Sequence, residues 1–209
     1  MNARLQVSEL TVLGGGGNRT VYRHPENSRY LIKVFRPDKA AALWGARMSF
    51  RERLRRLRQY ELFSREIHEY LAAHASDRQA LAFTQKIVGF EETDIGLGLV
   101  VEAAFGRDGN LAPTLATLIA EKRFDENARA ALDRFNCALL ASAVVISDLH
   151  WGNLVLAYTE EAGDHFVMID GLGSSNLIPF KRYSQFLNRR SKLARVRRLE
   201  RKISGQTTA

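Results

Sequence analysis

A chain of 209 residues with 45% hydrophobic and 26% charged residues has the material for one domain or two small lobes around a genuine core, which excludes wholesale disorder. Its longest apolar stretch, Cys137 to Ile146 interrupted at Ser142, is about half a bilayer span, and the N-terminus shows neither the apolar core nor the small-residue cleavage site of an export signal, so a cytoplasmic protein without a transmembrane segment is expected. The net charge of +8 is unevenly spread, because ten of the 31 basic residues and only one of the 23 acidic ones lie in residues 180–209; the rest is close to neutral, and the whole-chain pI is no argument for nucleic-acid binding.

The first hundred residues read mainly as short strands: Leu10 to Leu13, Thr20 to Arg23, Tyr30 to Phe35, Thr84 to Phe90 and Leu97 to Glu102, rich in branched and aromatic residues and bounded by Gly, Asn or Asp. One helical region, from about Lys39 to His74 and divided into two helices, interrupts them. Its second half carries Phe63, Ile67, Tyr70 and His74 at helical spacing, a pattern that predicts the buried stripe. A second basic cluster, Arg51, Arg53, Arg55, Arg56 and Arg58, falls in its first half.

After Gly106 the pattern turns helical, over Ala112 to Lys122 and then Asp125 to about Val144, with Asp125 as N-cap. The single cysteine, Cys137, lies in the second of these helices; it excludes intrachain disulfides and thiolate clusters and is expected to be a small buried apolar residue. Two short strands, Leu154 to Ala157 and His165 to Ile169, follow around a polar loop, and an amphipathic basic helix closes the chain with Phe186, Leu187, Leu193, Val196, Leu199 and Ile203 near helical spacing. That helix either docks its apolar stripe on the body or meets an anionic partner: a membrane surface, nucleic acid or an acidic protein. Strands first and helices second predict an α+β chain in two lobes with a boundary near Ala103 to Gly109: residues 1–104, residues 105–179, and a basic helix and tail over 180–209.

Four places carry chemistry. Gly14, Gly15, Gly16 and Gly17 stand between two strands, where backbone N–H groups can approach an anion, although a plain hairpin turn reads the same way. Lys33 sits alone among apolar and aromatic residues of the third strand; turned inward it needs a counter-charge, and Glu66 on the next helix is the best placed. Asp148 and Asn153 are five residues apart in a polar loop, the spacing that sets a carboxylate on an acceptor hydroxyl and an amide oxygen on magnesium. Asp170-Gly171 ends an apolar strand, a position that suits a second metal ligand.

In this order the motifs resemble the protein-kinase-like superfamily over nearly the whole chain, from Leu13 to Asp170. Within it, Leu-Gly-x-Gly-x-x-Arg-x-Val-Tyr, Ser-Asp-Leu-His-x-x-Asn and Ile-Asp-Gly-x-Gly-x-x-Asn-x-Ile-Pro, the last at residues 169–179, look like the small bacterial YrbL family, whose name as PhoP regulatory network proteins records a regulatory association and no reaction. The resemblance implies a two-lobed fold, an antiparallel β-sheet lobe with one key helix and a shortened, mainly helical second lobe. It implies that the four glycines cover the phosphates of ATP, that Lys33 binds the α/β-phosphates while pairing with Glu66, and that Val100, Val101 and Glu102 form the hinge that reads adenine through backbone groups. Asp148 would be the catalytic base, and Asn153 and Asp170 would hold Mg2+.

The chain departs from protein kinases where Ile146 and Ser147 stand in place of His-Arg, where Leu172 replaces a phenylalanine, and in the 39 residues that remain after Asp170, too few for a folded peptide platform. The implied activity is an ATP- and magnesium-dependent phosphotransferase acting on an unidentified hydroxyl acceptor. A nucleotide-binding regulatory module is the alternative.

Overall fold

The computed structural model describes residues 4–39, 57, 60–173 and 184–207. The Arg51 to Arg58 cluster, the first half of the expected helical region and the second half of the 169–179 motif lie outside the described residues. The chain divides into two compact units, Met1–Ser64 with Lys86–Ala103, and Arg65–Gln85 with Ala104–Ala209.

The first unit is a five-stranded antiparallel sheet. Its strands are β1 (Val12–Gly15), β2 (Arg19–Arg23), β3 (Tyr30–Phe35), β4 (Ile87–Thr93) and β5 (Gly96–Glu102), in the order β1-β2-β3-β5-β4. The β-branched content of β3 and β5 suits the centre of the sheet; Ile32, Val34 and Val100 pack there with Val7 and Tyr22. Asp94 in the β4–β5 turn fixes the N-terminal segment by accepting from the Val7 N–H at 2.8 Å and from Ser8. Gly96 completes that turn at φ +121°, a conformation side chains resist.

In the second unit, the later part of α1 (Glu61–Ser76), α2 (Leu115–Ala120), α3 (Glu126–Ala141) and α4 (Gln185–Thr207) accompany a two-stranded sheet of β6 (Leu154–Thr159) and β7 (Gly163–Met168). Helix α2 starts on the Thr114 hydroxyl, which accepts from the Thr117 N–H. Helix α3 starts on Asp125, whose side chain accepts from the Ala128 N–H at 2.8 Å. One apolar core joins Leu132, Phe135 and Leu139 of α3, Phe166 and Met168 of β7, and Val196, Leu199 and Ile203 of α4. Each such side chain contributes about 1.5–3 kcal/mol by leaving water.

Four expectations are corrected. The buried face of α1 is Phe63, Glu66, Glu69 and Ala73, and His74 is exposed, so the inward face lies about a fifth of a turn from the apolar stripe: two carboxylates face inward beside it. Cys137 is exposed, because α3 turns Phe135, Asn136 and Leu139 to the core and leaves residues 137 and 138 outside. The expected strand from Thr84 is divided: Gln85 N–H donates to the Met168 carbonyl at the edge of β7, and the strand of the large sheet starts at Ile87. In α4, Val196, Leu199 and Ile203 dock in the core, whereas Phe186 and Leu187 are exposed. Of the two roles expected for the basic helix, docking on the body is thus seen, through the C-terminal part of its apolar stripe alone. Among the described residues no helix is long and apolar enough to cross a membrane.

Candidate functional site

The β6–β7 hairpin gathers the polar candidates of the second unit at one end. Its register begins with Leu154 opposite Met168, so the residues just before β6 and just after β7 are neighbours. The turn over Trp151–Asn153 brings the Asn153 carbonyl to accept from the Ile169 N–H at 2.9 Å. This binds Asn153 to the residue that precedes Asp170.

Asp148 is tied to the same place from the other side. The Gly171 carbonyl accepts from the Ser147 N–H at 2.8 Å and the Ser147 hydroxyl at 3.0 Å. Gly173 N–H donates to the Val145 carbonyl at 2.8 Å, and Ile146 and Leu172 form an antiparallel bridge. Gly171, at φ +87°, lies so close to the Asp148 carbonyl that a Cβ there would overlap it. Only glycine fits. The Asn153 side-chain amide then stands 3.5 Å from Asp148 Oδ2 and 3.4 Å from its carbonyl. Asp148 is exposed, and Asn153 and Asp170 are half-buried, so the three present oxygen-bearing groups at one surface. Asp170 Oδ1 also accepts from the Gly171 N–H at 2.6 Å, which fixes its rotamer.

What holds the segment before Asp148 is a set of residues that the sequence did not single out. Helix α1 contributes Glu69, a buried carboxylate accepting from the Val145 N–H at 2.6 Å, and Asp77 just beyond the helix accepts from the Ala143 N–H at 2.6 Å. Helix α4 contributes Asn188, Lys192 and Arg195. Asn188 donates to the Ala143 and Val144 carbonyls, Lys192 Nζ to the carbonyls of Leu139 and Ser142 at 2.7 and 2.6 Å, and Arg195 to the Ser147 carbonyl at 2.8 and 3.2 Å. Positions 188, 192 and 195 recur at one helical face. The available signal was this polar periodicity within a helix read for its apolar stripe. Lys192 is 1% exposed, and burial pulls its pKa down to about 8 against the opposing pull of Asp77 and Glu69.

Among the described residues no three His, Cys, Asp or Glu side chains cluster to hold a metal ion. The oxygen donors of Asn153 and Asp170 nonetheless fit magnesium, which typically takes one or two carboxylates and completes its shell with phosphates and water.

In the first unit the expected residues are laid out as follows. Gly14 and Gly15 end β1, and the Gly16 N–H donates to the Arg19 carbonyl at 3.1 Å, so the four glycines form an exposed β-hairpin tip. A Cβ at Gly15 would meet the Arg19 carbonyl at 2.5 Å, whereas at Gly14, Gly16 and Gly17 it would meet nothing among the described residues within 4 Å. Lys33 is on a central strand and 6% exposed, and Glu66, of the second unit, is 5% exposed. Val100 and Val101 are buried in β5, which is paired on both sides, and the N–H groups of Glu102 and Ala103 already donate to the Lys86 and Arg29 carbonyls.

The profile of the family described as PhoP regulatory network protein YrbL matches residues 5–204. Relatives described as "Uncharacterized protein YrbL" from Escherichia coli strain K12 and from Shigella flexneri are each 26% identical over 187 residues, covering 87% of this chain and 80% of theirs. The chain belongs to that family.

Proposed function

We propose that this YrbL-family chain is an ATP- and magnesium-dependent phosphotransferase with a protein-kinase-like arrangement, the five-stranded sheet serving as the glycine-loop lobe and the second unit as a shortened, mainly helical lobe. The observation that carries the reading is the joining of Asp148, Asn153 and Asp170 by two hydrogen-bonded loops at one end of the β6–β7 hairpin. Phosphoryl transfer asks mainly for positioning and charge neutralisation, and an exposed carboxylate beside a pair of oxygen ligands suits both.

In the proposed step the acceptor hydroxyl hydrogen-bonds to Asp148, which receives its proton while the acceptor oxygen bonds to the γ-phosphorus. The bond from that phosphorus to the β,γ-bridging oxygen breaks, and ADP leaves with the electron pair. Asn153 holds Asp148 through its amide nitrogen, and its amide oxygen and the Asp170 carboxylate are the groups that would hold magnesium. Bound there, magnesium would neutralise charge on the phosphates. Lys33 takes the α/β-phosphates, an anion suited to an ammonium that is buried in the sheet.

The open sides of Gly14, Gly16 and Gly17 support a phosphate-covering role, because no packing neighbour among the described residues demands glycine there. Val100, Val101 and Glu102 have their backbone largely committed to the sheet, so the proposal rests on the other residues. Incubation with ATP labelled in the γ-phosphate tests it. Slow, magnesium-dependent release or self-transfer of label is expected, lost in Lys33→Ala and in Asp148→Asn, with nucleotide binding kept in the latter. Turnover that survives Asp148→Asn contradicts the assignment of the base.

The family's description favours a second reading, a nucleotide-binding module that regulates through shape. It predicts saturable ATP binding with no turnover in the wild type.

A further inference from the structure

Beside Asp148 the second unit has a cavity of about 390 Å³, lined on one side by the loop residues Asp148, His150 and Trp151 and on the other by Arg195, Arg198 and Lys202 of α4. The helix positions 195, 198 and 202 recur at three and four residues, so the three cations share one face. We propose that this cavity is the acceptor subsite and that the acceptor is a small soluble alcohol carrying an anionic group, phosphate or carboxylate. The part of the proposal that concerns transfer at Asp148 rests on the phosphotransferase reading, whereas the binding of the anion does not.

The charge balance of the cavity is the argument. Arg195 is held by neutral partners, the Ser147 carbonyl and the Ser191 hydroxyl. Lys202 Nζ lies 5.4 Å from the centre of the Trp151 ring, and Arg198 has no hydrogen-bond or ion-pair partner among the described residues. The one acidic residue of α4, Glu200, pairs with Arg129 at 2.8 Å and accepts from Asn136, so it is taken up on another face. Three cations thus surround a cavity in which Asp148 is the only acidic lining group among the described residues, which leaves net positive charge for a ligand.

Shape adds to charge. Val196, Leu199 and Ile203 anchor α4 in the core, and Arg195 ties the helix to Ser147, next to Asp148. The cations therefore stand at a set distance from the proposed base, as needed to hold an anion at one end of a molecule and offer its hydroxyl at the other. The volume is near the lower end of ordinary ligand pockets, about 300–1,000 Å³, which selects a small molecule. His150 Nδ1 accepts from the Gly152 N–H at 3.1 Å, so its Nε2 carries the hydrogen and adds a donor. Arginine and lysine recognise phosphate and carboxylate through charge-assisted hydrogen bonds.

The chain has two tryptophans, so Trp44→Phe leaves Trp151 as the sole indole reporter. In that background, at constant ionic strength and without nucleotide, glycerol 3-phosphate and inorganic phosphate should change Trp151 emission saturably, and glycerol should not. Arg198→Gln combined with Lys202→Gln should weaken the phosphate response about tenfold or more while leaving ATP binding, measured separately by calorimetry, unchanged. An equal response to glycerol, no response to the phosphates, or a response that survives the double substitution overturns the subsite. So does a response confined to phosphatidylglycerol vesicles, since it would assign the cations to a lipid surface. Phosphate binding without ATP binding would keep the subsite and overturn the phosphotransferase reading; ATP binding without a phosphate response would do the reverse.

Discussion

The glycine hairpin of the first unit and the Asp148–Gly171 loops of the second unit are both short polar connections proposed to face phosphates, yet they are built on opposite principles. The hairpin tip is exposed, and three of its four glycines answer to no neighbour among the described residues. The second pair of loops is cross-linked by backbone hydrogen bonds, by a glycine that admits no side chain and by polar clamps from α1 and α4. The difference separates glycine required by the fold from glycine that no neighbour among the described residues requires.

The largest effect should come from the position where the fold itself demands glycine. Gly171→Ala must push a methyl group against the Asp148 carbonyl at a positive φ, and a loss of about 3 kcal/mol or more in urea unfolding is expected. Near-wild-type stability would mean that the two loops are not held in this register.

Lys192→Met should come next. It leaves the Leu139 and Ser142 carbonyls without their donor, a loss on the order of 1–3 kcal/mol. It also removes a pH signature. With its folded pKa near 8, below the ordinary lysine value of 10.5, Lys192 binds fewer protons folded than unfolded between those limits. Its contribution to stability is therefore least favourable below pH 8 and improves as the pH rises towards 10.5. Stability of wild type relative to Lys192→Met, followed by denaturation from pH 7 to 10.5, should rise across that window; a flat or falling difference would place an ordinary lysine there.

Smallest on stability and most informative on ligand is Gly16→Ala. An open site should change unfolding by less than about 1 kcal/mol, while ATP affinity falls if backbone approach to phosphate is what the glycine serves. Reduced stability with unchanged affinity would make the hairpin a structural turn.

How far the sequence could be read follows from the same contrast. Strand β3 and the Asp125 cap were legible because alternation and capping are local rules, and the Asp148, Asn153 and Asp170 motifs could be picked out because their spacing is short. The inward face of α1 was legible only in part: Glu66 could be singled out as a counter-charge for Lys33, but Glu69 is buried for its polar group and a hydrophobic periodicity passes over it. Nor was the role of α4: Asn188, Lys192 and Arg195 look like a solvated basic face until the carbonyls of residues 139–147 are seen to need donors. Those carbonyls belong to segments more than 40 residues away in the chain, and no window-based pattern contains them.

A phosphotransferase built on these loops requires Asp170 to help hold a nucleotide through magnesium. Calorimetric titration of the folded protein with ATP, with and without magnesium, beside Asp170→Ala, measures this without knowledge of the acceptor. Binding should strengthen with magnesium in the wild type and lose that gain in Asp170→Ala. Equal binding in all four titrations, or none at millimolar nucleotide, would contradict it.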